Sequence, residues 1–393
     1  MRGEPVMNRH SIGILFFSSI LLIFASSFRA NAQPQTVPRL SERQLDKASY
    51  VKLAKEWKEY IKKNGETADA LVNLGMAYDY SGQLDAALLA GKRAVRIAPD
   101  NPKALAFLAK MLATYKGDGN QALKLLKHCK EVAPDYENGL TMLAAVYMRR
   151  GELANADEVL KTIFEQNTIP QPLQDYAYNM LIGLPNGAVL ITNGDNDTFP
   201  PLALQAGMGL RKDVAVINRS LLNLKSYTEA VFDRYPKIKP KGKLEAERGK
   251  ILSNAIIRKL VEEQKTPVYI AVSVVIDRSY DPEGIKLTLP SRPIVEGLNR
   301  RTREKGLTDE ESAFLFLKKY RMDSATDWNF AWDLTPSVSN MMKNYVACMI
   351  EIAERPDLNP NTRNDLLIKA LNIAKFHKMN EAERIIEGLL KKQ

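Results

Sequence analysis

One feature restricts the folding options of this chain more than any other: small and large apolar residues recur along it at a fixed period. From Ala68 to Asn101 they are Leu74-Gly75, Tyr78, Gly82, Leu84, Ala87, Ala94 and Pro99. A second unit starts near Pro102 with Leu108-Ala109, Leu112, Ala122, Cys129 and Pro134. A third starts near Glu137 with Leu143-Ala144, Tyr147, Gly151, Leu153, Ala156, Leu160 and Ile163. Gly75 and Ala87 let two helices approach closely, Leu74 and Tyr78 fill the space between them, Gly82 turns the chain, and Pro99 stops the second helix. The second unit carries about one extra residue in its Lys116-Gly117-Asp118-Gly119 turn. Upstream, Tyr50 to Lys63 reads as one further amphipathic helix. Units of this kind cannot bury their apolar faces alone, so they stack on their neighbours.

This spacing resembles the tetratricopeptide family over residues 46–170. The resemblance implies a curved wall of helix pairs with a concave groove that takes a peptide or partner protein. Carried over position by position, the groove residues are Asp69, Met76, Asp79 and Tyr80 in the first unit, Lys103 and Lys110 in the second, and Asn138, Met148 and Arg149 in the third. Two readings stay open for them: a surface for a protein ligand, or a groove packed against the chain's own second domain.

Ahead of the repeats, residues 1–32 read as a secretory signal. Arg2 and Arg9 precede an apolar run from Ile12 to Phe24, and Ala30-Asn31-Ala32 supplies a small-residue cleavage site. Cleavage after Ala32, a periplasmic or otherwise exported location and a linker over 33–45 are expected. No later apolar run has the roughly 20 residues a membrane span needs. The formal net charge of +10 for the precursor falls when Arg2, Arg9 and Arg29 leave with the signal. The remaining basic residues show no interleaving with aromatics of the nucleic-acid-binding kind, and the densest cluster, Lys237 to Lys243, reads as a solvated loop. Cys129 and Cys348 are too few and too far apart for a disulfide framework, so buried free thiols are expected.

After Pro170 the pattern changes to short continuous apolar runs at Gly187–Thr192, Asp213–Asn218 and Pro267–Ile276, with a fourth expected at Ile285–Leu289. Helical stretches separate them near Pro200–Leu210, Tyr227–Arg234 and Lys250–Glu263. Alternation of this kind predicts a small three-layer α/β domain with a mostly parallel sheet over 175–300. Met341–Ala353 and a helix pair, Asn364–Lys375 with Glu381–Lys392, predict a helical C-terminal region over 301–393. The fold class is therefore α plus α/β: a tetratricopeptide-like array, the small α/β domain and a C-terminal helical hairpin.

Open parallel sheets bind ligands at the carboxyl ends of their strands. Two polar loops fall there: Asn193, Gly194, Asp195, Asn196, Asp197 and Thr198 after the first strand, and Asn218, Arg219 and Ser220 after the second. Asp195 and Asp197 have the oxygen ligands that suit a divalent cation, and Arg219 suits phosphate or carboxylate. The bland alternative is that Asp197 or Thr198 caps a helix beginning near Pro200, and Asp195 holds the turn. No phosphate-binding glycine loop, dinucleotide fingerprint, zinc-protease helix or nucleophile elbow is present. After cleavage only His128 and His377 remain for acid–base work, and Trp328 and Trp332 form an aromatic pair that reads as a cap over the helices.

The stretches Val189–Pro200 and Arg211–Leu222 are similar to the soluble C-terminal tail of multi-pass bacterial membrane proteins classed as protein-glycosylating transferases. The present sequence lacks their membrane-embedded part, so the resemblance implies a shared accessory module, with Gly194 to Thr198 as its candidate site. The leading functional expectation is a protein-binding or scaffold factor with an α/β domain open to a small ligand or cation. The alternative is a metal-dependent or glycosylation-related factor acting through the Asp195/Asp197 loop. No cofactor other than a divalent cation is expected.

Overall fold

The structure, a computed structural model, describes residues 32–39, 43–244, 252–263, 265–274, 294–303, 305–327, 329 and 336–391. The expected signal, the expected strand Ile285–Leu289 and the Trp328/Trp332 pair lie outside the described residues, apart from Ala32. The chain forms two compact units. One comprises residues up to Pro38 with Leu45–Met111; the other comprises Arg39–Gln44 with Leu112–Gln393.

The first unit contains helices α1 (Lys47–Asn64), α2 (Ala68–Ser81), α3 (Leu84–Ile97) and α4 (Pro102–Met111). The first two starts have a local cause. Asp46 accepts the Ser49 N–H ahead of α1, and Thr67 accepts the Ala70 N–H ahead of α2, which satisfies donors that the first turn leaves open. Gly82 ends α2 at φ 86°, a left-handed conformation that glycine adopts without steric cost. The small position Gly75 sits against Phe107 of α4, and a Cβ there would collide with that ring. The repeats thus stack as the small–large alternation predicts. The segment expected as a linker is partly docked: Val37 is buried in one cluster with Tyr50, Leu53, Trp57, Ala70 and Leu74.

The second unit begins at a π-helical turn, Leu112–Lys116, followed by α5 (Gly119–Val132). The surplus residue of the second repeat is absorbed here, since a π turn takes up one extra residue within a helix. Helices α6 (Glu137–Arg149), α7 (Leu153–Glu165) and α8 (Gln171–Ile182) follow. Cys129 and Cys348 are buried and form no disulfide, and burial pushes their thiols up to about 11 and about 12.

Next come β1 (Val189–Thr192), α9 (Asp195–Met208), β2 (Ala215–Asn218), α10 (Lys225–Arg234), α11 (Leu252–Glu263), β3 (Val268–Ala271), β4 (Ile294–Glu296) and β5 (Asn299–Arg301). The sheet order is β2-β1-β3-β5-β4. Strand β1 runs parallel to β2, with Val189 opposite Ala215, and to β3, with Val189 opposite Val268. The pairs β3–β5 and β4–β5 are antiparallel. The expectation of a mostly parallel sheet is therefore corrected to a mixed one. Its antiparallel half escaped the sequence pattern because three-residue strands bearing Glu296, Arg300 and Arg301 make no apolar run. Those charges are retained by pairing: Glu296, 2% exposed, accepts from the Tyr269 hydroxyl at 2.7 Å, Arg301 at 2.9 Å and the Leu307 N–H at 3.1 Å. Every residue of β1, β2 and β3 is buried, as covering both faces requires.

The repeat helices continue into this domain without a break. Phe164 of α7 lies against Gly207 of α9, where any Cβ would clash. Arg211 locks the entry to β1: its guanidinium donates to the carbonyls of Leu181, Leu184 and Pro185 and forks onto Asp213 at 2.9 Å, while Asp213 accepts the Gly187 N–H. That pairing holds the Asp213 carboxyl down at about 2. Beyond the sheet lie α12 (Asp309–Phe314), α13 (Pro336–Ala353), α14 (Pro360–Phe376) and α15 (Asn380–Lys391), the last two packed as the expected pair.

Candidate functional site

The two predicted loops do meet at the carboxyl edge of the parallel strands, joined there by a third loop after β3. Thr192, the last residue of β1, places its hydroxyl 2.7 Å from that of Thr198. Asn218, the last residue of β2, donates to the same Thr198 hydroxyl at 3.0 Å, and the Arg219 N–H donates to the Thr192 carbonyl at 2.9 Å. Asn218 also accepts from the Leu221 N–H, and its own N–H donates to the Tyr227 oxygen.

Asp197 organises the first loop. It is 2% exposed, accepts the Asn193 and Gly194 N–H groups at 2.8 Å each, and also accepts the Ser273 hydroxyl. Burial pushes its carboxyl up, and the Ser273 hydroxyl and the two N–H groups pull it back. Helix α9 starts at Asp195, five residues before the expected start near Pro200, so Asp197 is its third residue and Gly194 its N-cap. The capping role foreseen for Asp197 is real, but it acts backward, onto the N-cap N–H, as the carboxylate half of a capping box. Pro200 and Pro201 fall inside the helix. As its sixth and seventh residues they lie past the first turn and, having no N–H, cannot donate to the carbonyls of Asn196 and Asp197 one turn back, a cost that prolines at the first helical position would not incur.

The remaining members of the set separate by exposure. Asn193, Asp195 and Ser220 are exposed, Gly194 and Asn196 half-buried, and Arg219 buried with a guanidinium N–H on Asn254 at 3.2 Å. Asp195 is exposed whereas Asp197 is turned onto the loop backbone, so the two predicted cation ligands sit in different environments. Among the described residues no group of three or more His, Cys, Asp or Glu side chains could hold a metal ion.

The groove residues behave differently in the two units. On α2 and α4, Asp69 accepts Lys103 at 3.1 Å and Asp79 accepts Lys110 at 2.7 Å. The Lys110 ammonium also lies 4.7 Å from the centre of the Tyr80 ring, and Met76 and Tyr80 pack on the cluster that holds Val37. Residues predicted to share a face therefore do so. In the third repeat Met148 is buried, Asn138 lies beside the Tyr136 hydroxyl at 3.5 Å, and the Arg149 carbonyl accepts the Ser226 hydroxyl of α10 at 2.6 Å. Arg234 of α10 pairs with Asp157 of α7 at 2.9 Å. There the chain's own α/β domain packs on the repeat, the second of the two readings left open.

Sequence reasoning missed Ser273, which carries no signature, and Asn73 with Trp57, which hold the segment at Val37 and sit within ordinary helix pattern. It also left Arg211 and Asp213 without a role, although both lie in the stretch quoted for the family resemblance.

A family model described as TMEM260-associated domain 2 matches residues 173–240, from α8 past α10 and including both polar loops. No curated protein matches the chain. Among solved structures it is similar to MamA, with 18% identity over 50% of this chain and 98% of that one at a TM-score of 0.30. It is similar to TTC0263, a tetratricopeptide repeat protein of Thermus thermophilus, with 20% identity over 48% and 90% at 0.31. A tetratricopeptide repeat protein from Parabacteroides merdae shows 14% identity over 83% and 94% at 0.31. At scores this low the repeat assignment rests on the helix pairs themselves.

Proposed function

We propose that this chain is an exported tetratricopeptide-type adaptor: its first repeats bind a protein partner, and its α/β domain serves as an accessory module. The observation that carries this is the inner face of α2 and α4, where Asp69, Asp79, Tyr80, Lys103 and Lys110 lie together. Both charge signs beside an aromatic ring and Met76 suit a mixed polar and apolar peptide surface. Export is supported by the basic start, the apolar run and the Ala30-Asn31-Ala32 site of the sequence. No helix among the described residues is long and apolar enough to cross a membrane. The accessory role of the α/β domain is supported by the match over 173–240 and by the hydrogen-bond network at its sheet edge. Affinity capture of the full chain from its own cells tests the reading. The expected outcome is a reproducible protein partner that is lost in the Tyr80→Ala, Lys110→Ala double variant. A partner retained by that variant would remove the inner face from the account.

A further inference from the structure

Residues 32–38 form no helix or strand, yet they are seated. Val37 is 2% exposed, while Gln33, Gln35 and Thr36 are exposed and Pro34 and Pro38 half-buried. One side chain anchors the segment. Two hydrogen bonds assist it: the Val37 N–H donates to Asn73 Oδ1 at 2.9 Å, and the Trp57 indole N–H donates to the Gln35 carbonyl at 3.0 Å. Asn73 is fixed in turn by donating to the Asp69 carbonyl at 2.9 Å.

The placement of this seat is what gives it a function. Asn73 lies one helical turn from Asp69 and from Met76 and two turns from Tyr80, on the same stripe of α2. Met76 and Tyr80 pack on the cluster that buries Val37, and Tyr80 meets Tyr50 edge-on at 5.1 Å. The receptor consists of one aliphatic socket, one acceptor for a backbone N–H and one donor for a backbone carbonyl. Nothing in it reads the exposed side chains at 33, 35 and 36. The two prolines restrict the segment before docking, which lowers the ordering cost for any chain of this pattern.

We propose that this socket is a receptor for a proline-flanked segment carrying one aliphatic side chain, and that the chain's own residues 32–38 fill it until such a segment of a partner protein displaces them. The arm is thus a resident self-ligand on the face assigned to partner binding. The inference rests on that assignment for the partner alone; the arm's seat stands on its own contacts. A self-ligand that occupies the site nine-tenths of the time weakens an outside ligand about tenfold.

The test uses the full chain and a fluorescent peptide of residues 33–38. Wild type is expected to bind it weakly. Val37→Asp, which expels the arm, is expected to bind about tenfold tighter or better, and adding Asn73→Ala to that variant is expected to abolish the gain. Equal binding by wild type and Val37→Asp, with the melting curve retained, would overturn the proposal. Should Val37→Asp fail to fold, hydrogen exchange on wild type decides. The Val37 amide is expected to exchange at least about a hundredfold faster than the Leu71 amide of α2, through local opening. Equal protection of the two amides would make the arm a fixed part of the core and end the proposal. Partner capture that still depends on Tyr80 and Lys110 while the peptide fails to bind would sink this inference and leave the adaptor reading standing.

Discussion

On α2 and α4 each acid meets a lysine: Asp69 with Lys103, and Asp79 with Lys110, on a face that solvent reaches. After β1 the buried acid Asp197 accepts two backbone N–H groups and a serine hydroxyl instead. Side chains that bond one another across helices can exchange those partners for a ligand's groups at little cost. A carboxylate that completes the backbone of its own loop cannot leave without stranding donors. The first arrangement suits recognition, and the second fixes a shape. Asp197→Ala is the harshest test of that difference. It leaves three donors at a buried site without their acceptor, so a loss of about 3 kcal/mol is expected, read from urea-unfolding midpoints. The exposed neighbour gives the control: Asp195→Ala should cost under about 0.5 kcal/mol. Equal losses would refute the capping account. A rise in melting temperature with magnesium or calcium that Asp195→Ala abolishes would restore the cation reading.

A smaller effect comes from the C-terminal helices, where a polar group is again fixed by backbone. His377, at the end of α14, places Nε2 2.8 Å from the Ala325 carbonyl and Nδ1 3.4 Å from the Ser339 hydroxyl. Burial lowers its pKa from the ordinary 6.5, and the Ala325 contact opposes that shift. The folded state thus disfavours the proton that the unfolded chain takes up below 6.5. The contribution is intact above 6.5 and is lost as pH falls from there toward the folded value. The slope cannot exceed about 1.4 kcal/mol per pH unit for one proton. Comparing unfolding midpoints at about pH 7.5 and about pH 5.5 in wild type and His377→Phe isolates it. An unchanged pH dependence in the variant would remove His377 from the account.

Much of the array was legible because its signal is periodic. Leu74-Gly75, Tyr78 and Gly82 announce a helix, its close contact and its left-handed end, and even the surplus residue near Lys116 showed before the π turn that absorbs it. The apolar strands β1 and β2 were legible for the same reason. The hairpin of β4 and β5 was not, because the buried Glu296 is held by the half-buried Arg301, a pairing that no single-sequence pattern encodes. At the sheet edge the two polar loops do come together, and their meeting follows from parallel neighbours. Their roles were not visible, since whether Asp197 turns outward to an ion or backward to Gly194 depends on where α9 begins. Prolines at 200 and 201 pointed to the wrong start. The docking of Val37 was invisible because one valine between prolines looks like any linker.

The gentlest test returns to the inner face. Side-chain exposures of 58% and 48% for Lys103 and Asp69, against 27% and 15% for Lys110 and Asp79, place the two pairs on a gradient of screening. A double-mutant cycle of Asp69→Asn with Lys103→Met should give a coupling below about 0.5 kcal/mol that fades in about 0.5 M salt. The same cycle on Asp79 and Lys110 should couple more strongly, up to about 1 kcal/mol, and resist salt better, since Lys110 also lies over Tyr80 and burial is offset there by that ring and by Asp79. The ordering matters more than the sizes. A face meant to yield its internal pairs to a ligand should hold them weakly at the open end and more firmly toward Tyr80, which then marks where a partner's charge gains most by substitution. If the Asp69–Lys103 coupling matched or exceeded the inner one, that gradient would be absent, and these pairs would be fastening the helices in the way Asp197 fastens its loop.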